Sequence, residues 1–185
     1  MLKRVFAAVF LAALLYGSAR AEDIALAHRK DNAAADAEAI IELRSKLARE
    51  FIKPGTVVTE ETFKQVCGAV GKKVKEISKL EGVVIRHAAV KFRNPANAAT
   101  PAEAAFIDRF EKDRKLKAID EEDTVDGRKY FRVTRPIRVE AACLACHGDK
   151  EARPEFIKEK YPDDRAYGFK KGDLRGIISV LIPLD

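Results

Sequence analysis

Hydrophobic residues recur at helical spacing in three separate stretches of the chain. Apolar side chains repeat there every three or four positions, with charged residues between them. The pattern predicts helices over residues 33–50, 60–80 and 101–115. The third has the strongest start signal, because Thr100 and Glu103 are spaced as a capping box. Thr59 is the predicted N-cap of the second, with Thr62 in the place of the usual acidic partner.

Segments rich in β-branched and alternating residues follow these helices and predict strands. The predicted strands are residues 83–92, 116–125, 128–133 and 177–184. Asp126-Gly127 lies between the second and third strands and predicts a tight hairpin turn. Mixed helices and strands with no repeat and no linker predict one α+β domain over residues 22–185, with a helix at its N-terminal end.

The first 21 residues have the layout of a secretory leader. Lys3 and Arg4 form a basic start, residues 5–16 are apolar and uncharged, and Ala19-Arg20-Ala21 fits the small-x-small cleavage pattern. This apolar run is too short to span a bilayer, which takes about 20 residues. We therefore expect residues 1–21 to be a signal peptide that is removed. The expected location is periplasmic or otherwise exported, with no transmembrane segment after cleavage.

Net charge gives no indication of a nucleic-acid partner. The whole chain carries +6, but three of its basic residues, Lys3, Arg4 and Arg20, lie in the predicted leader. Without them the remainder carries +3, which indicates no strong preference for nucleic acids or membrane surfaces.

The strongest chemical signal is the segment Cys143-Leu144-Ala145-Cys146-His147. Haem has two vinyl groups on one edge, and two thiols spaced by two residues on a helical turn can reach both. The next residue is then held over the iron, where an imidazole serves as ligand. The sequence predicts one covalent haem c per chain, attached at Cys143 and Cys146, with His147 as an axial ligand of the iron.

Two other interpretations of these cysteines remain open. A C-x-x-C pair is also the motif of redox disulfides, although no β-α-β unit precedes it here and a histidine occupies the haem position. A zinc site would have a complete ligand set in Cys67, Cys143, Cys146 and one histidine. Exported proteins rarely favour thiolate zinc sites over disulfides, so haem is the favoured interpretation.

Elimination narrows the second axial ligand without fixing it. The only methionine, Met1, lies in the predicted leader, which excludes the histidine–methionine pair of ordinary cytochromes c. His28 lies near the start of the mature chain, and His87 lies mid-strand, where a partly buried histidine that binds no metal is the simpler expectation. Cys67 is unpaired and lies on the apolar face of the second helix, where a core thiol is usually inert.

Several segments, taken in order, resemble the haem c-binding, PAS-like domain family typified by a cyanobacterial c-type haem protein. They are Cys67, Arg93-Asn94-Pro95-Ala96-Asn97, Pro136-Ile137, residues 143–148, Tyr161-Pro162, residues 168–173, Arg175-Gly176 and Ser179-Val180. The resemblance runs from about Cys67 to the end of the chain. It implies a PAS-like antiparallel sheet flanked by helices. It also implies an axial pair formed by His147 and Cys67.

The two propionates of a haem need hydrogen-bonding or ionic partners where they leave a pocket. Arg93 and Asn97, in the turn that carries part of the resemblance, are candidates. Arg135, just ahead of the haem segment, is a third. For Arg93 a second role stays open, in which its side chain ties the turn to backbone carbonyls.

These features predict a haem protein that is not an enzyme. A haem enzyme such as a peroxidase needs an open iron site and a distal acid–base pair, and we identify no such pair in the sequence. The leading expectation is an exported haem protein that senses redox state or a small haem ligand and acts on a protein signalling partner. The alternative is a periplasmic electron-transfer cytochrome with a protein redox partner.

Overall fold

Six helices and four strands make up the described part of the chain. The computed structural model describes residues 2–184, with side chains described from Arg20 onward. The helices are α1 (Leu2–Phe51), α2 (Glu60–Phe63), α3 (Ala69–Glu81), α4 (Pro101–Lys112), α5 (Leu144–His147) and α6 (Glu155–Lys160). The strands are β1 (Val84–Ala88), β2 (Ile119–Val125), β3 (Arg128–Arg138) and β4 (Leu174–Pro183).

The strands form one antiparallel sheet in the order β1-β4-β3-β2. β2 and β3 are the predicted hairpin. Asp126 and Gly127 close it with φ values of 50° and 80°, as a two-residue turn with left-handed backbone requires. β4 comes last in sequence but lies between β1 and β3, which leaves β1 at one edge of the sheet. The predicted α+β class, with an antiparallel sheet and an N-terminal helix, is confirmed.

Helix α1 and helix α3 cover one face of the sheet. The shared core contains Ala33, Ala37, Ile40, Val70, Ile77, Val133, Ile178, Val180 and Ile182. Alanines at two of the α1 contact positions let the helix approach the strands closely. Each fully buried isoleucine contributes roughly 1.5–3 kcal/mol relative to an exposed one.

Helix α4 packs on the other face of the sheet through Phe106, Ile107 and Phe110. Its predicted capping box is formed, since Thr100 and Glu103 exchange side chain-to-backbone hydrogen bonds. The Glu103 carboxylate is buried and also accepts a hydrogen bond from Arg86 on β1. One side chain therefore caps α4 and ties it to the edge strand.

Strand β3 runs five residues beyond its predicted end at Val133. Pro136 lies in this extension, and proline usually interrupts a strand because it lacks an N–H donor. The pairing with β2 stops at Thr134, so further along β3 has a paired neighbour on one side only. Proline is tolerated where a strand lies at an edge.

The predicted leader, residues 1–21, lies almost wholly outside the described side chains, and its cleavage stays a prediction. Across the part of the chain that the structure describes, none of the helices has the length and apolar character needed to cross a membrane.

Candidate functional site

A cavity of about 540 Å³ opens between α3, the edge strand β1 and the C-x-x-C-H segment. Its size falls within the range of small-molecule and cofactor pockets, roughly 300–1,000 Å³. The ionisable side chains in its lining are Arg44, Cys67, Lys75, Arg86, His87, Arg93, His147, Tyr161 and Arg175. The cavity therefore brings together two predicted iron ligands, Cys67 and His147, that are far apart in sequence.

The C-x-x-C-H segment forms the helical turn that the motif needs. Cys143 ends a 3-10 turn, and α5 continues it through Cys146 to His147. Gly148 follows directly because a side chain there would come within 2.7 Å of the Leu144 carbonyl oxygen. His147 lines the cavity, whereas the two cysteines are packed beside it in small apolar clusters.

Both motif thiols lie in surroundings that favour the protonated form. Burial is the main cause, and it raises the pKa of Cys143 and raises that of Cys146 to about 11. A reactive redox pair usually has a lowered thiol pKa, so this setting does not favour redox exchange. Within the described residues, no group of three histidine, cysteine or acidic side chains is clustered to hold a metal, and the zinc interpretation gains no support.

The proton of His147 is assigned by its hydrogen-bond partner. Its Nδ1 atom lies 2.7 Å from the carbonyl oxygen of Ala166. A carbonyl only accepts, so Nδ1 carries the proton and Nε2 keeps its lone pair. Arg93 lies 3.4 Å from the same Nδ1 but cannot donate to a protonated nitrogen; its short bond, at 2.6 Å, goes to the carbonyl oxygen of Cys146.

His147 is also held in the neutral form. Burial, followed by the charges of Arg175 and Arg93, lowers its pKa well below the ordinary value for histidine. A neutral imidazole with one nitrogen anchored and the other free is the form in which histidine binds metals. The geometry therefore leaves His147 in a form that can bind a metal through Nε2.

A buried ion network fixes the surroundings of His147. The carboxylate of Asp164 is fully buried and pairs with Arg93 at 3.3 Å and Arg153 at 2.7 Å. The same carboxylate accepts a hydrogen bond from the Ala166 amide at 2.8 Å. Asp164 thus positions both Ala166, whose carbonyl accepts the hydrogen bond from His147, and the arginine beside the His147 ring.

Cys67 lies in a π-helical segment, Lys64–Gly68, between α2 and α3. The sequence predicted one continuous helix here, and the capping box of Thr59 with Thr62 at its start is formed. A π-helical turn holds an extra residue, and such turns occur frequently at functional sites. The side chain of Cys67 is half-buried and lines the cavity.

The cavity holds more positive charge than its described neighbours compensate. Arg44, Arg93 and Arg175 all line it. Among the described residues, only Arg93 of these three has a carboxylate partner. Burial, followed by repulsion from Arg93 and Arg44, lowers the pKa of Arg175 to about 10. The Nε atom of Arg44 is buried without a hydrogen-bond partner, a state that costs about 1–3 kcal/mol.

His87 is a second histidine on the wall of the cavity. Its Nε2 atom lies 3.2 Å from Nη2 of Arg44. Arginine only donates, so Nε2 accepts and the proton lies on Nδ1. Burial, followed by the charges of Arg44 and Arg175, lowers the pKa of His87 to about 3. The lone pair of Nε2 is therefore occupied, and Nδ1 carries the proton.

The three predicted propionate partners separate into two groups. Arg93 and Asn97 line the cavity. Arg135 is not among the described residues that line it, and its guanidinium pairs with Asp120 at 2.5 Å and Glu38 at 3.3 Å. Arg135 shares a face of β3 with Ile137, which does line the cavity, but Asp120 on β2 and Glu38 on α1 hold its guanidinium. The prediction that Arg135 holds a propionate therefore gains no support from this geometry.

Arg44 is a site residue that the sequence reading missed. It follows Ile40 by four positions on α1 and precedes Ala48 by four, and both of those residues are buried. A charged residue on the apolar stripe of an amphipathic helix was the available signal.

An antiparallel sheet flanked by helices, with a C-x-x-C-H turn beside a cationic cavity at an edge strand, defines a class of α+β domains with a c-type haem motif. The chain belongs to the Tll0287-like family, whose model matches residues 21–183. Among solved structures it is similar to the crystal structure of the cyanobacterial haem protein Tll0287, with a TM-score of 0.72 and 42% identity over 82% of this chain and 92% of that one. None of the curated proteins matches. The family resemblance predicted from the motifs is confirmed.

Proposed function

We propose that this protein is an exported c-type haem protein that senses redox state or a small haem ligand. The observation that carries the proposal is the state of His147, which is neutral, anchored through Nδ1 and beside a C-x-x-C pair. The similarity to the haem protein Tll0287 supports the choice of cofactor. Export rests on the leader pattern of residues 1–21.

The residues of the cavity fit a haem. Cys143 and Cys146 lie beside the cavity, three residues apart along the helical segment that ends at His147, and would form the two thioether bonds. Arg44, Arg93 and Asn97 are the candidates to hold the propionates, and an anionic oxygen would give the buried Nε of Arg44 the acceptor it lacks. When bound, the haem supplies an iron whose charge changes by one on reduction.

Cys67 is the proposed second axial ligand. It lines the same cavity as His147, while the Nε2 lone pair of His87 is occupied by Arg44. Arg44 and Arg175 line the same cavity, so their positive charge would balance the negative charge of a bound thiolate. Thiolate ligation also predicts a low reduction potential compared with histidine–methionine cytochromes.

The placement of Cys67 favours sensing over electron transfer. Its segment is π-helical and leads directly into α3, which packs on the sheet. An irregular helical turn can change its register at low cost, so release of the Cys67 side chain would be transmitted to α3. An electron carrier is better served by ligands on rigid elements that stay fixed in both redox states.

Carbon monoxide binding to the reduced protein tests the sensing proposal. The full chain would be expressed with a c-type maturation system and its absorption recorded in both redox states, before and after addition of the gas. We expect the ferrous wild type to bind carbon monoxide, because Cys67 yields its position. A haem-loaded protein that stays six-coordinate and binds no carbon monoxide would reject sensing by ligand exchange and favour the electron-transfer alternative.

A further inference from the structure

A second cavity, of about 570 Å³, lies between α4 and the beginning of β4. Ile107, Phe169 and Leu174 give it an apolar wall, and Lys91, Arg114 and Arg138 give it a basic one. It shares Arg175 and Gly176 with the haem cavity, so the beginning of β4 borders both cavities. Nothing in the proposed haem function uses this second cavity.

The basic side chains of the second cavity are bonded to backbone carbonyls rather than to carboxylates. Arg114 donates to Gly172, Arg138 to Phe110, Arg175 to Lys91, and Lys91 to Tyr167. Three acidic residues, Asp108, Glu111 and Asp173, also line the cavity. Asp108 is already paired with Lys112 at 2.6 Å, and Asp173 accepts from the Lys170 amide at 2.7 Å. Glu111 has no ion-pair partner among the described residues, so four basic side chains face three carboxylates, one of which, Asp108, is already paired. The lining therefore keeps an excess of positive charge.

We propose that this cavity binds a small organic anion that carries one carboxylate on an apolar body. The carboxylate would lie among Arg114, Arg138 and Arg175, because guanidinium groups bind carboxylates through paired, charge-assisted hydrogen bonds. The apolar body would contact Ile107 and Leu174. The cavity volume lies within the range of small-molecule sites, roughly 300–1,000 Å³.

Two residues connect the second cavity with His147. The ring of Phe169 packs edge-on against the His147 ring, with centroids 6.2 Å apart, and it also lines the second cavity. The guanidinium of Arg175 lies 5.6 Å from the centroid of Phe169 and lines both cavities. A bound carboxylate would add negative charge beside Arg175. On the proposed haem function, this added charge lowers the reduction potential and makes the anion bind the ferric protein more tightly than the ferrous one.

The test uses the haem-loaded full chain, with benzoate as the anionic probe and benzamide as its neutral counterpart. Calorimetry at constant ionic strength measures binding directly, whatever the state of the haem. We expect benzoate to bind and benzamide to bind at least tenfold more weakly. Arg114→Gln should weaken benzoate binding at least tenfold, and Ala104→Phe should do the same by filling the cavity without changing its charge.

Arg109→Gln is the matched control, since it removes the same charge five residues earlier, on α4, at a position outside the lining of the cavity. Equal binding of benzoate and benzamide would overturn the site, as would an equal loss in Arg114→Gln and Arg109→Gln. The absence of any measurable heat of benzoate binding would overturn it too.

Spectroelectrochemistry with benzoate then tests the coupling between the second cavity and the haem. We expect benzoate to lower the reduction potential. Binding with an unchanged potential would keep the site and reject its connection with the haem. Failure of the haem proposal would instead appear as a chain that loads no covalent haem.

Discussion

The Nδ1 atom of His147 lies 2.7 Å from the Ala166 carbonyl oxygen, and the amide of the same Ala166 donates to the buried Asp164 carboxylate. One peptide segment therefore connects the proposed iron ligand to a fully buried acid. Partners of this kind, one step removed from a metal ligand, fix the orientation of the imidazole and the position of its proton.

Replacement of Asp164 should loosen this arrangement. Asp164→Asn leaves Arg93 and Arg153 without their buried carboxylate, and breaking a buried ion pair costs about 3–5 kcal/mol. We expect a loss of that size in the free energy of unfolding in urea, together with an altered ferric absorption spectrum. Asp163→Asn is the control, because the neighbouring Asp163 is exposed. Equal losses in the two variants would show that the network does not act as described.

Arg44 should contribute to holding the haem. Arg44→Gln removes a cation from the cavity wall and with it a charged donor for a propionate, an interaction of about 1.5–3 kcal/mol. Since positive charge near the iron favours the ferrous state, the reduction potential should fall. Spectroelectrochemistry of Arg44→Gln and of Lys46→Gln, an exposed position on the same helix, separates a local effect from a change in overall charge. If both variants shift the reduction potential equally, the effect of Arg44 is one of overall charge, and the proposed position of Arg44 beside the haem is wrong.

Local signals in the sequence account for much of the fold. The capping box of Thr100 and Glu103 and the hairpin at Asp126-Gly127 are short-range features whose residues act on their own backbone, and both are present in the structure. The position of β4 between β1 and β3 was not predictable in this way. It depends on pairing between distant segments, and the pattern of apolar residues within a strand does not show which other strand it pairs with.

The candidate site likewise combines local features, which the sequence predicts, with features that depend on contacts between distant segments. The C-x-x-C-H segment is local, and its turn could be predicted from the spacing of Cys143, Cys146 and His147. Arg175 joins the cavity only because β4 is inserted beside β1. The π-helical turn at Cys67 was also missed, since one extra residue in a turn barely alters a helical pattern of apolar residues.

The acid sensitivity of the fold should depend on His87. Its pKa of about 3 in the folded protein lies below the roughly 6.5 expected in the unfolded chain. The unfolded chain then binds the additional proton, so stability falls as the pH drops below about 6.5, by up to about 1.4 kcal/mol per pH unit. When the pH falls from 7 to 5, the free energy of unfolding in urea should decrease by about 2 kcal/mol less in His87→Gln than in the wild type. His28→Gln, at an exposed position, is the control and should depend on pH as the wild type does. If the free energy of unfolding of His87→Gln also depends on pH as in the wild type, His87 is not the source of the acid sensitivity.

The reduction potential should report on Cys67. A thiolate stabilises ferric iron, so Cys67→Ala should have a higher midpoint potential than the wild type. Cys67→Met is the companion variant, because it keeps a sulfur ligand without the charge and should also raise the potential. A wild-type potential no lower than that of Cys67→Ala would remove Cys67 as a thiolate ligand.

Retention of haem after denaturation tests the central claim most directly. The wild-type chain, produced with a c-type maturation system, would be extracted with acidified acetone and then run on a denaturing gel that is stained for haem. We predict that haem stays with the wild-type chain and is lost from the double variant Cys143→Ala with Cys146→Ala. Haem that extracts freely from the wild type would contradict the account.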